Sequence, residues 1–304
     1  MIVRLLAVLA LLLATPAAAQ ADGRLIDWEA VTSAHAQPRN VTIWLPPGYD
    51  VSQRRYPVIY MHDGQNVFVP GRAYGGEEWG VDEALSRMIA SGRTHGAIVV
   101  GVWNTNARGR DYLPAAVVAE LPEAQRTLVQ ATHGGASLAD GYLRFLVEEL
   151  KPRIDHEFRT QPDRRHTGIM GSSMGGLISF YALGQYPGVF GRAAALSIHW
   201  PLGDPRAGQG ADPAMVARAF GNWPGLQRIR QGRGRLYADI GDQTLDAFYP
   251  PYQAAMLQEL RARGWRAGRI TLRTWPGAAH NEAAWRARIE TPLAFLLDLP
   301  DAAS

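Results

Sequence analysis

Short apolar runs alternate with segments of helical spacing along most of this chain. Apolar runs bounded by turn residues indicate strands, whereas apolar residues that recur every three to four positions indicate helices. Strands are predicted at residues 25–31, 41–45, 57–61, 97–103, 167–170, 193–198, 235–240 and 269–275. Helices are predicted at residues 81–90, 123–131, 142–155, 177–183, 252–263 and 282–297. Because strands and helices alternate, the pattern predicts an α/β protein with a mostly parallel sheet and helices on both faces.

Two stretches depart from this alternation. Residues 104–139 are long for a connection, and we interpret them as a loop insertion over the edge at which the strands end. Residues 199–225 are rich in Gly and Pro and are interpreted as a loop. No polar linker divides residues 21–304, so a single domain is expected.

The first twenty residues have the pattern of a secretory signal peptide. Arg4 precedes an apolar run at 5–14, and Pro16 and three alanines follow as a cleavage site. The run is too short to span a bilayer, and no later segment is long enough either. We therefore expect residues 1–20 to be removed and the protein to be exported, periplasmic or secreted, with no stable membrane anchor.

The composition excludes several kinds of chemistry. The chain has no cysteine, which excludes thiol nucleophiles, disulfides and thiolate zinc sites. Its one lysine, Lys151, is not part of a P-loop, and Thr160 stands where a His-Glu-x-x-His motif would need a second histidine after His156. The net charge of +3 comes from scattered arginines, so no nucleic acid partner is expected. No metal or other cofactor is expected.

A candidate nucleophile lies where the strand at 167–170 runs into Gly171-Ser172-Ser173-Met174-Gly175 and then into a helix. This G-x-S-x-G pattern is typical of a serine on a sharp, strained turn, whose flanking glycines let the strand and the helix pass each other. The turn presents the hydroxyl at the carboxyl edge of the sheet, and the next backbone N–H faces the place where an oxyanion would form. We therefore predict Ser173 as the nucleophile and Met174 as an oxyanion donor.

The later strands supply a base and an acid. His280 follows the last strand, where it can take the proton of Ser173 and later return it to the leaving group. Asp239 lies inside the preceding strand, Asp242 follows that strand directly, and Asp246 is far enough along the loop to turn back toward His280. Asp246 is preferred as the acid and Asp242 is the alternative. The order Ser, Asp, His is the one that this sheet topology requires.

A second oxyanion donor is expected from the loop after the strand at 57–61. The N–H of Gln65 is preferred, followed by that of Gly64, because a glycine lets the backbone approach a substrate oxygen. The alternative interpretation is that Asp63 and Asn66 only stabilise a turn there.

Several side chains on loops near the same edge are candidates for substrate contact. Aromatic loop residues bury flat apolar groups at low entropy cost, and an arginine can bind an anionic or sugar group. The alternative is that these residues support the packing of their own loops. The candidates are His62, Arg108, Tyr112 and Trp200, with Trp103, Trp223 and Arg110 beside them. The expected substrate is a small-molecule ester, bulky or aromatic, and deletion of 104–139 is expected to raise KM for bulky esters alone.

Together these residues resemble the putative esterase family of α/β-hydrolases, which includes esterase D, feruloyl esterases, enterochelin esterases and the mycolyltransferases of the antigen 85 complex. The matching segments are Val58–Phe68, Tyr142–Asp155, Ile169–Leu177, Pro187–Phe190, Tyr237–Tyr252 and Pro276–Trp285, with Arg288 and Pro292. The resemblance implies the α/β-hydrolase fold, Ser173 as nucleophile, His280 as base, and Met174 and Gln65 as oxyanion donors. Because the family places its acid at differing distances after the strand, the choice between Asp246 and Asp242 stays open.

Three functions are compatible with these features. The first is an exported serine carboxylic-ester hydrolase, and the second is an acyltransferase that uses the same triad with a hydroxyl acceptor in place of water. The third is a non-catalytic binding module on a hydrolase scaffold. The acyl and alcohol parts of the substrate and the oligomeric state are left open.

Overall fold

The computed structural model describes residues 23–265 and 268–300, so the predicted signal peptide lies outside the described residues. In this part of the chain one sheet has eight strands, in the order β1-β2-β4-β3-β5-β6-β7-β8. The strands are β1 (Arg24–Val31), β2 (Arg39–Leu45), β3 (Val58–His62), β4 (Ile98–Val102), β5 (Thr167–Ser172), β6 (Arg192–Leu196), β7 (Arg235–Ile240) and β8 (Ile270–Thr274). β2 is antiparallel to β1 and β4, and the other neighbouring pairs are parallel. The strands from β3 to β8 therefore end at a common edge.

The helices fall between these strands. They are α1 (Val81–Ala90), α2 (Arg108–Asp111), α3 (Ala115–Val118), α4 (Glu123–Thr132), α5 (Ala139–Arg144), α6 (Lys151–Glu157), α7 (Met174–Gln185), α8 (Pro213–Asn222), α9 (Pro224–Gln231), α10 (Pro250–Ala262), α11 (Glu282–Ala287) and α12 (Glu290–Leu296). A π-helical segment, Phe145–Leu150, joins α5 to α6. No helix in the described residues is long and apolar enough to cross a bilayer.

Each face of the sheet carries its own hydrophobic core. On one face Phe180 of α7 belongs to the same buried cluster as Ile169 of β5. On the other face Leu85 of α1 and Leu293 of α12 share a cluster with Met170. Adjacent residues of β5 thus serve opposite faces, and every position of the strand is buried instead of every second one.

The two irregular stretches contain more helix than the sequence indicates. Residues 199–225 were expected to be a loop, but α8 begins there: Asp212 accepts a hydrogen bond from the N–H of Met215 (2.9 Å), and Pro213 occupies the first turn. The stretch 104–139 includes α2, α3 and α4. Its Leu113 and Val117 are fully buried in the same core as Phe180. The loop interpretation of 199–225 is therefore wrong, and 104–139 is packed into the protein.

Candidate active site

Ser173 forms the turn between β5 and α7. Its backbone angles are φ 54° and ψ −123°, a strained conformation that costs of order 1–3 kcal/mol. The end of β6 and the loop after it hold this turn in place. The N–H of Ser173 donates to Leu196 O (2.8 Å), and the carbonyl of Ser173 accepts from the N–H of His199 (3.2 Å). The turn therefore presents a half-buried Ser173 at the carboxyl edge of the sheet.

The glycines of G-x-S-x-G lie where β5 and α7 pass each other. A Cβ on Gly171 would lie 2.7 Å from the carbonyl carbon of Gly175, too close for any side chain. A Cβ on the next glycine, Gly176, would lie 3.1 Å from the Cβ of Ala195 in β6. The structure therefore has the close contact between strand and helix that the motif predicts.

The two predicted oxyanion donors lie on loops that touch. Met174 is the first residue of α7, so its N–H has no acceptor within the helix and lies at the positive end of the helix dipole. The loop of residues 62–66, which we call the β3 loop, packs on this turn: a Cβ on Gly175 would lie 3.3 Å from the Cβ of His62. Gln65 is the middle residue of a 3-10 turn in that loop.

Gly64 explains why the β3 loop can fold so tightly against the sheet. A Cβ at this position would lie 2.3 Å from the carbonyl carbon of Gly101 in β4. The preceding residue, Asp63, has a left-handed backbone with φ 56°. The loop therefore turns sharply at Asp63 and lies flat on β4, which sets the direction of the Gln65 N–H.

Asp246 is the aspartate that faces His280. Its Oδ1 lies 2.6 Å from His280 Nδ1. Its Oδ2 accepts hydrogen bonds from the hydroxyl of Ser197 and the N–H of Gly241, both at 2.6 Å. Burial raises the pKa of Asp246, but the hydrogen bonds from His280, Ser197 and Gly241 outweigh burial, so the net pKa lies below its usual value. Asp246 is therefore a carboxylate beside His280 at neutral pH.

The other two candidate acids have different partners. Asp242 accepts a hydrogen bond from the N–H of Gly277 (2.8 Å), as a turn residue does. Asp239 is fully buried and binds Arg288 through two hydrogen bonds, of 3.0 and 3.1 Å. Of the three aspartates weighed from the sequence, the structure thus brings Asp246 to His280.

Aromatic rings hold the imidazole of His280 on two sides. Tyr249 and Trp285 both pack edge-on to it, with ring centroids 5.7 and 5.2 Å away. The backbone N–H of His280 donates to Thr244 Oγ1 (2.8 Å). Together with Asp246 these contacts fix the plane of the ring.

The hydroxyl of Ser173 interacts with the hydroxyl of Tyr249. Tyr249 is fully buried, and its hydroxyl also lies 2.7 Å from His199 Nδ1. The expected hydrogen bond from Ser173 to His280 is not formed between these described side chains, and such contacts commonly close only when substrate is bound. Tyr249 was not among the residues predicted from the sequence, where its one signal is its position three residues after Asp246.

Ser197 links Asp246 to the C-terminal helices. Its hydroxyl lies 2.9 Å from Trp285 Nε1 and 3.0 Å from Arg288 Nη2, and its backbone N–H donates to Asp239 Oδ1 (3.0 Å). These side chains are all buried. Ser197 was not predicted from the sequence, because a serine at the end of an apolar strand has no distinctive pattern.

The stretch 104–139 holds the β3 loop in place. Arg108 makes two hydrogen bonds of 2.7 Å to Asp63, and Asn104 Nδ2 adds a third of 2.6 Å. The backbone N–H of Asn104 donates to Gln65 Oε1 (3.3 Å). Burial raises the pKa of Asp63, but Arg108 and Asn104 outweigh it and hold the net pKa below its usual value. Asp63 is therefore an ionised anchor for this loop.

Three of the four predicted substrate-contact residues are interior. Trp200 is fully buried against Phe180, and Tyr112 is fully buried beneath Arg108. His62 is also buried, 2.7 Å from the hydroxyl of Tyr142, and burial lowers its pKa to about 3. These three side chains therefore support loops, as the alternative interpretation held.

Arg108, with 34% of its side chain exposed, is the member of that set that reaches the surface. Of the residues named beside the set, Trp103 donates to Thr42 Oγ1 (3.0 Å), Arg110 donates to Ala136 O (2.8 Å), and Trp223 is buried. Because 104–139 contributes to the core and to the β3 loop, its deletion would not act on bulky esters alone. That expectation is corrected.

Across residues 23–265 and 268–300, no group of three or more His, Asp or Glu side chains is arranged to hold a metal ion. The absence of a cofactor from the reaction stays a prediction from the sequence.

Comparison with known proteins adds to this geometry. A model of the family described as putative esterase matches residues 32–296. Ferri-bacillibactin esterase BesA of Bacillus subtilis (strain 168) is 31% identical over 153 residues, 48% of this chain and 49% of BesA, so the match spans about half of that relative. The uncharacterized protein YbbA of Bacillus subtilis (strain 168) is 22% identical over 250 residues, 80% of this chain and 86% of YbbA.

Solved structures of other proteins have the same fold. A ferulic acid esterase superposes with a TM-score of 0.63 and 19% identity over 90% of this chain and 98% of its own. The BES protein from Bacillus cereus gives 0.61 and 16% identity over 97% and 98%. Because the family match runs nearly the full length of the described chain, this protein belongs to the putative esterase family and is an esterase with the α/β-hydrolase fold.

Proposed function

We propose that this esterase is an exported serine carboxylic-ester hydrolase that forms an acyl-enzyme on Ser173. The observation that carries the proposal is the 2.6 Å contact between the buried carboxylate of Asp246 and His280 Nδ1. It leaves Nε2 of the imidazole to act as a base toward the strained turn of Ser173 at the same sheet edge. Family membership supports the reaction class.

In the proposed reaction, Ser173 attacks the carbonyl carbon of the ester while His280 takes its proton. The N–H groups of Met174 and Gln65 stabilise the oxyanion. His280 then protonates the departing alcohol, and the same residue activates the water that releases the acid.

The test uses the chain from residue 21 onward with a panel of aryl, short-chain, feruloyl and siderophore esters. Replacing Ser173 by Ala should lower kcat/KM by about 10³-fold or more and abolish the mass adduct with an organophosphonate. Replacing the neighbouring Ser172 by Ala should leave the adduct in place. An adduct that persists in Ser173→Ala, or hydrolysis that survives it undiminished, would overturn the proposal.

Export is the second part of the proposal. It is supported by the pattern of residues 1–20, in which Arg4 precedes an apolar run and alanines follow Pro16. The expected result is a protein in the periplasm or medium whose N-terminus, read by mass spectrometry, lies near residue 21. A full-length protein confined to the cytoplasm would contradict it.

A further inference from the structure

The direction of the hydroxyl proton of Ser197 is determined by the three groups around it. A serine hydroxyl has one proton and two lone pairs, whereas an indole N–H and a guanidinium are donors only. Trp285 Nε1 and Arg288 Nη2, at 2.9 and 3.0 Å, therefore occupy the lone pairs. The proton that remains points at Asp246 Oδ2, 2.6 Å away.

The donors behind Ser197 are themselves fixed. Arg288 is held by Asp239 through two hydrogen bonds, and Asp239 also accepts the backbone N–H of Ser197 at 3.0 Å. Arg288 is 5% exposed, and Asp239, Ser197 and Asp246 are each 0% exposed. Because these groups are buried away from water, the hydrogen bonds between them are stronger than they would be in solvent, and each one polarises the next.

We propose that Ser197 is a positioning residue for the Asp246–His280 pair. Its hydroxyl, oriented by Arg288 and Trp285, holds one oxygen of Asp246 so that the other meets His280 Nδ1. The same hydrogen bond withdraws part of the negative charge of Asp246 from the imidazolium that forms during attack. The inference rests on the proposed function, in which His280 is the base.

This role has a signature in the pH profile. In Ser197→Ala the carboxylate loses a donor and stabilises a protonated His280 more strongly. The acid limb of kcat/KM should therefore move to higher pH by about half a unit, the size expected for one lost hydrogen bond. At the optimum, kcat should fall about tenfold while KM stays within about twofold, since Ser197 is buried behind Asp246.

A matched control is available at the other end of the parallel strands, where they begin. Thr160 is buried and donates its hydroxyl to Asp155 Oδ1 (2.8 Å), the same kind of bond far from Ser173. Thr160→Val should lower the midpoint of thermal unfolding without moving the acid limb. Ser197→Cys, which keeps a weak donor of similar shape, should give a smaller shift than Ser197→Ala and serves if the alanine variant does not fold.

The outcomes separate this inference from the proposed function. If Ser173→Ala is inactive and both Ser197 variants keep the wild-type acid limb, Ser197 is structural only and the inference is wrong. If Ser173→Ala retains full hydrolysis, the proposed function itself is wrong. A shift graded from Ser197→Cys to Ser197→Ala, absent in Thr160→Val, supports the assignment.

Discussion

At the scale of single residues, the chemistry of this site depends on which carboxylate faces the imidazole. Asp246 reaches His280 because the 3-10 turn of residues Thr244–Phe248 folds the loop back onto the end of β7. Spacing along the sequence could not decide between Asp242 and Asp246, since both lie after the same strand and the turn between them depends on tertiary contacts. Ser197 and Tyr249 were missed for the same reason, because their roles exist only once three loops have come together.

Replacing Asp246 by Asn should lower kcat by about 10³-fold or more. An amide would present a donor to His280 Nδ1 and impose the wrong tautomer on the base. Asp242→Asn is the control: its amide oxygen still accepts from Gly277, so activity should stay within about twofold. Steady-state kinetics on one aryl ester measure both variants, and a larger loss in Asp242→Asn would reverse the assignment of the acid.

At the scale of elements, the strands were the most predictable part of the molecule. The predicted strand 235–240 has the same bounds as β7, and the predicted strand 167–170 ends two residues before β5 does. Buried parallel strands are apolar throughout and bounded by Gly and Pro, so one sequence suffices to find them. The π-helical segment Phe145–Leu150 has no such signal, and α8 was hidden by the Gly and Pro around its Asp212 cap.

The contact between the stretch 104–139 and the β3 loop leads to a prediction about Arg108. Arg108→Ala leaves the buried Asp63 carboxylate without its main partner, so the loop that carries Gln65 should lose its fixed position. We expect kcat/KM to fall about 10- to 100-fold for small acetates and bulky esters alike. Arg108→Lys should restore activity only in part, because an ammonium cannot make both hydrogen bonds.

Arg110→Ala is the matched control for this prediction. Arg110 lies in the same helix, and its side chain donates to a backbone carbonyl, Ala136 O, at 2.8 Å. Its removal should leave kcat/KM for both ester classes close to that of the unmodified protein. An effect of Arg108→Ala confined to KM for bulky esters would instead show that Arg108 contacts the substrate.

At the scale of the whole molecule, two buried histidines make stability depend on pH. Burial lowers the pKa of His62 and of His199 to about 3 each, whereas a histidine in the unfolded chain has a pKa of about 6.5. Below pH 6.5 the unfolded chain therefore takes up protons that the folded protein cannot. Stability is complete above this pH and is lost as the pH falls from 6.5 toward 3.

This difference amounts to about 2 kcal/mol per histidine at pH 5. The midpoint of thermal unfolding should therefore drop between pH 7 and pH 5, by roughly 10 °C for the pair. The pKa values of Asp63 and Asp246 lie below the usual value for aspartate, so the stability that these carboxylates contribute is lost only under more acidic conditions. Scanning calorimetry at several pH values measures the slope.

His199→Gln should remove about half of the drop in the unfolding midpoint that this pair of histidines causes. An unfolding midpoint that is level from pH 7 to pH 5 would show that the two imidazoles take up protons in the folded protein.

The position of the active-site residues along the chain governs when the protein can react. Ser173 and the β3 loop are synthesised before His280 and Arg288, and α12, which covers one face of the sheet, comes later still. In the proposed mechanism, a nascent chain that ends before His280 contains Ser173 but no base to take its proton. Under that mechanism, hydrolysis begins only once His280 has been made and has folded against the turn of Ser173.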